Sequence, residues 1–96
     1  MLTKQFYSDH VAHAMQMYQI RPHGATRATI HDIDAAAGAL CDMTPTDANI
    51  IIDVYQNGHF PEAVKQTARQ YRVRDAYVWS LIDDFGRKFA RLRGLI

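Results

Sequence analysis

Four cationic side chains, Lys65, Arg69, Arg72 and Arg74, fall within ten residues of the chain. The first three recur at intervals of four and three residues, which align side chains along one face of a helix. A row of ammonium and guanidinium groups on one face neutralises phosphates and releases their counterions. The surrounding charge agrees. Residues 1–64 hold three Lys or Arg against seven Asp or Glu, and residues 65–96 hold eight against three. A basic C-terminal third on a chain of net charge +1 is the footprint of a nucleic-acid-binding surface. A solvated helix face is the plainer reading of the same charges.

Other chemistry is sparsely represented. His10 and His13 stand three apart and suit two metal ligands, with His31 or Cys41 as further donors. A polar edge on a semi-apolar helix face, shared with Phe6 and Met17, accounts for them more simply. No paired carboxylates, nucleophile motif or glycine-rich phosphate loop is present, so neither an enzyme nor a cofactor or metal is expected. Cys41 is the sole cysteine, which excludes an internal disulfide and suits a reducing cytoplasm. The opening MLTKQFYSDH lacks a long apolar run, so neither a signal peptide nor a membrane span is expected.

The elements that position the cations read as helices. Tyr7, Val11, Ala14, Met15 and Tyr18 make one stripe, and Pro22 and Gly24 end that segment. TIHDIDAAAGALC follows, with Thr29 as the expected N-cap and Asp32 at the capping-box position. Thr44 and Pro45 open a third helix with Ala48, Ile51, Ile52 and Tyr55 on its buried side, closing at Asn57-Gly58. Pro61 opens a fourth, to about Gln70. A fifth runs from near Arg74 to Arg93, with the stripe Val78, Leu81, Ile82, Phe85, Phe89 and Leu92, and Gly86 as a possible bend. The expectation is a single all-α domain of about five helices. Residues 1–43 form supporting and dimerisation helices, and residues 44–96 a tri-helical core with a helix-turn-helix.

The helix-turn-helix expectation rests on packing. Two helices crossing at a sharp turn need a small residue at the crossing, which Ala68 supplies. Val64 fits the start of the first helix, Tyr71 its end and Val73 the turn. Val78 and Leu81, three apart, fit the buried side of the second helix. The turn position that favours glycine holds Arg72, and a left-handed conformation there costs about 1 kcal/mol. ATIHDIDAAAGAL offers a superficial alternative. It places Asp34 where the small residue belongs and Pro45 inside the second helix, which proline does not tolerate.

TPTDANIIIDVYQNGHFPEAVKQTARQYRVRDAYVWSLIDDF resembles the core of small bacterial helix-turn-helix repressors, the KorA/TrfB-type plasmid repressors and the PapB-type fimbrial regulators. In PapB-type readers, too, one aromatic ends the first helix and another lies in the second, as in YRVRDAYVWSLI. The likeness covers roughly residues 44–85, and the stretch between Gly58 and Ala68 is longer than in PapB-type proteins. It implies a sequence-specific regulator of transcription, usually a repressor and usually oligomeric.

On helix-turn-helix geometry Arg74, Asp75, Ala76, Tyr77, Trp79 and Ser80 face base edges, with Arg74 suited to guanine and Asp75 to cytosine. Asp75 equally suits orienting Arg74 or capping the helix, and Trp79 equally suits packing against another helix. Lys65, Arg69, Arg72 and Arg87 suit phosphates. The expected partners are double-stranded DNA and a second copy of the chain, joined through Phe6 and Met17 or through the C-terminal tail. A helical adaptor that binds protein without DNA is the alternative.

Overall fold

Five segments of helical periodicity become five helices in a computed structural model of the protein: α1 Lys4–Ile20, α2 Arg27–Cys41, α3 Pro45–Gln56, α4 Glu62–Tyr71 and α5 Asp75–Arg93. The structure describes the backbone of residues 4–96 and the side chains of residues 9–96. The side chains of Phe6 and Tyr7 therefore lie outside the described residues. No strand occurs among the described residues, and none of their helices is long and apolar enough to cross a membrane.

Local chemistry sets the ends. Thr44 caps α3 as its sequence predicts: the hydroxyl accepts from Asp47 N–H at 3.2 Å, and Pro45 occupies the first turn. α2 corrects the expectation. Its cap is Thr26, extended at ψ 162°, whose hydroxyl accepts from Thr29 N–H, so the helix starts earlier and Thr29 lies inside it. Two threonines compete for the role, and the one still in extended backbone wins it. Glycine at positive φ serves the α1–α2 connection at Gly24 and closes α5 at Gly94.

α5 is the common partner of the other four helices. α3 meets it at Tyr77 and Phe85, α1 at Phe89 and α2 at Leu92, and α4 packs on both α3 and α5. Val78, Leu81, Phe85 and Phe89 are buried along it, and it runs through Gly86 without interruption. Leu92 departs from the expected stripe. It is 57% exposed and lies over Gly38 of α2, where an added Cβ would come within 3.0 Å of its Cδ1. α3 meets α1, α4 and α5 together, so its buried side is turned from the expected one. Ile50, Ile51 and Val54 are deepest, while Ala48, Ile52 and Tyr55 are half-buried.

The second correction concerns Asp32, which does not cap α2. It is buried, with Oδ1 accepting from Arg93 Nε at 2.6 Å and lying 2.8 Å from His10 Nε2. A carboxylate removed from water is costly unless hydrogen-bonded donors replace that water. Here the donors come from α1 and from the last turn of α5, so the anion ties three helices. His10 also lies against the Phe89 ring at 5.7 Å, while His13 is exposed, so the two histidines do not act as a pair.

Burial works to raise the Asp32 pKa, but the hydrogen bonds from His10 and Arg93 prevail and hold it below its ordinary 3.8. A depressed carboxylate contributes stability that is complete at neutral pH and lost as pH falls through the folded value. Asp32→Asn is expected to be less stable at neutral pH by about 1–3 kcal/mol. That gap should close below about pH 4. Urea unfolding midpoints across pH check this, and a gap constant with pH would refute it.

Candidate nucleic-acid interface

The connection between α4 and α5 is three residues, Arg72 to Arg74. Arg72 takes the left-handed conformation, φ 56° and ψ 45°. Its N–H bonds Arg69 O, and Val73 N–H reaches back to Ala68 O at 2.9 Å, which closes the last turn of α4. Arg74 is extended at φ −76° and ψ 149° and starts α5 without a side-chain cap bond. The chain thus reverses sharply at the position whose sequence favours glycine.

The packing residues fall as expected. Val64, Ala68, Val78 and Leu81 are buried, while Tyr71 and Val73 are half-buried at the turn. Two clamps hold the turn from α3. The Tyr71 hydroxyl donates to Asp53, and the Tyr77 hydroxyl donates to Asp47 Oδ1 at 2.6 Å. The bond to Asp53 pushes the Tyr71 pKa up to about 12, and the bond to Asp47 raises that of Tyr77. A third tie joins the α3 C-cap to α4: Asn57 Nδ2 donates to the buried Thr67 hydroxyl, which donates to Ala63 O at 2.7 Å. None of these ties was foreseen. Their partners stand 10 to 30 residues apart, with only an acidic α3 and an aromatic at each end of the turn as signal.

Lys65, Arg69, Arg72 and Arg74 are all exposed, and none has a side-chain partner among the described residues. Lys65 and Arg69 share the outer face of α4, and Arg72 and Arg74 bracket Val73 in the turn. Arg87 differs from the other expected phosphate ligands. Asp83 holds its guanidinium and Asp84 lies 3.6 Å away, so its charge is balanced on its own helix. Arg93 is spent on Asp32.

The six residues expected to face bases do not form one free row. Arg74, Asp75 and Ala76 are exposed, and Asp75 neither caps α5 nor pairs with Arg74. The Ser80 hydroxyl donates to Tyr77 O at 2.7 Å on its own helix, and the Tyr77 hydroxyl is held by Asp47. Trp79 sets its ring edge-on to Phe60 at 5.7 Å, the lateral packing weighed from sequence, yet stays 42% exposed, as does Tyr77. Free polar groups therefore concentrate at the start of α5 and on α4.

No protein-family model matches the chain, and no curated protein or solved structure matches it either.

Two substitutions test the turn. Arg72→Gly relieves the left-handed strain and is expected to raise stability by up to about 1 kcal/mol. Ala68→Leu overpacks the crossing and is expected to lower it by about 1–3 kcal/mol. Thermal melts read both, and an unchanged melting temperature for Ala68→Leu would contradict the burial of that side chain.

Proposed function

We propose that the protein is a sequence-specific, double-stranded DNA-binding regulator of transcription, a repressor that binds a palindromic operator as a homodimer. The carrying observation is the packed pair α4 and α5, with Ala68 buried, a three-residue connection that turns at left-handed Arg72, and four exposed cations that have no side-chain partner among the described residues. Arg87 and Arg93 are paired with carboxylates, whereas Lys65, Arg69, Arg72 and Arg74 gather on one helix and its turn with no carboxylate beside them among the described residues, an arrangement suited to an anionic partner. In this reading α4, α5 and the turn act as a helix-turn-helix. α4 lies across the backbone, with Lys65, Arg69 and Arg72 on phosphates, and the start of α5 enters the major groove.

Charge along α5 limits how it docks. Asp83 and Asp84 follow two turns after Asp75 and repel phosphate, and Arg87 lies beside both. The helix therefore presents its N-terminal end, and Arg74 is the principal reader of a base edge, with the Ala76 methyl suited to thymine. Trp79 supports the reader through its ring against Phe60, and Tyr77 through its hydroxyl on Asp47.

Arg74→Ala is expected to weaken operator binding by about 1–3 kcal/mol and to relax the base preference at one position. Arg69→Ala and Lys65→Ala should weaken all duplexes alike, each reducing the slope of log affinity against log salt by about one. Fluorescence anisotropy on selected and random duplexes separates the two classes. A protein that binds no duplex at low salt instead points to the adaptor alternative, with the half-exposed Trp79 and Tyr77 rings as its contact.

A further inference from the structure

α2 packs on α1 and α5 through Asp32, Ala35, Ala36, Ala39 and Leu40. Its opposite face is not the polar face an amphipathic helix normally shows to water. Ile30 is 47% exposed there, and Ile33 and Ala37 continue the stripe. Together with Tyr18 and the 22–25 connection they line an open, largely apolar groove.

Charge sets what fits this face. Arg27 lies three residues before Ile30 and Asp34 four residues after it, both exposed and without a side-chain partner among the described residues. Seven residues of helix bring them to within about 20° of each other around the axis and about 10.5 Å apart along it. An apolar centre with a base at one end and an acid at the other complements itself in one way. Rotation by half a turn about an axis beside Ile30 sets each Arg27 against the Asp34 of the other copy and stacks the two Ile30 side chains. A parallel pairing would oppose like charges. A foreign helix would need an acid and a base at the same spacing in reverse order, which a second copy already has.

We propose that the protein self-associates as a two-fold dimer through this face of α2. Such an interface is isologous and closes after two copies. It gives the homodimer of the proposed DNA-binding reading a location, and rests on that reading for its purpose, while the association itself is measured without DNA. It also moves the contact from Met17, which is half-buried on α1, to a face centred on the exposed Ile30, Arg27 and Asp34.

Sedimentation velocity of the full chain at micromolar concentrations tests it, with circular dichroism to confirm helicity. Wild type is expected to sediment at twice 11.0 kDa and Ile30→Glu as a monomer. Arg27→Asp and Asp34→Arg reverse charge at exposed positions, and each alone should weaken association by about tenfold or more. Mixed in equal amounts, these two variants should associate again, because Asp at 27 in one copy then meets Arg at 34 in the other. A monomeric wild type overturns the proposal, as does a dimer that survives Ile30→Glu, or a mixture no tighter than its components. Loss of the dimer on Met17→Glu or Leu92→Glu but not on Ile30→Glu would also overturn it and place the contact on α1 or the tail. Anisotropy on duplex DNA is read separately. A dimer that ignores DNA defeats the functional reading alone, and a monomer that binds DNA defeats this inference alone.

Discussion

The Asp32 carboxylate is tolerated inside the protein only because His10 and Arg93 reach it from α1 and from the last turn of α5. The same contacts that compensate its desolvation fix how α5 is rotated about its own axis. A helix held only by Phe85, Phe89 and their neighbours could slide or turn by small steps, since apolar packing is weakly directional. A charge-assisted hydrogen bond to a buried anion allows much less. The orientation of α5 at its C-terminal end is inherited at its N-terminal end, because a continuous helix transmits rotation along its length. The direction in which Arg74 and Asp75 leave the protein is therefore set in part by a carboxylate on α2.

The N-terminal end of α5 has its own restraints, and they also run through carboxylates. Asp47 and Asp53 stand on α3 and hold Tyr77 and Tyr71, the aromatics on either side of the turn. With both hydroxyls tied down, the left-handed Arg72 is over-determined by its surroundings, which is how a strained residue persists. Three acidic residues of the N-terminal two thirds are thus used to position the basic third. One of the three, Asp32 with Arg93, joins opposite charges of the two parts of the chain, and the other two hold neutral hydroxyls.

The division between what was legible and what was not follows sequence separation. Helix number, the Thr44 cap, the left-handed requirement at Arg72 and the burial of Val64, Ala68, Val78 and Leu81 depend on residues a few positions apart, and periodicity exposes such relations. Asp32 was misread because its spacing from Thr29 satisfies a local rule, whereas its actual partners lie 22 and 61 residues away. Trp79 was left undecided for the same reason, since Phe60 belongs to another element. In the candidate site the cations were legible as types and positions. Their availability was not: Arg87 and Arg93 look like Arg69 in the sequence and differ only in having carboxylates beside them.

That difference changes what the basic third means. Summed over residues 65–96, charge suggests a broad electropositive surface, but ion pairs take Arg87 and Arg93 out of it, which leaves Lys65, Arg69, Arg72 and Arg74 together on α4 and its turn and Arg91 apart from them near the end of α5. On the proposed DNA-binding reading a compact cluster would contact few phosphates, affinity per copy would be small, and specificity would come from two copies acting together. On that reading the narrow cluster beside Arg72 gives the self-association proposed for α2 its purpose, because one copy alone would hold DNA weakly.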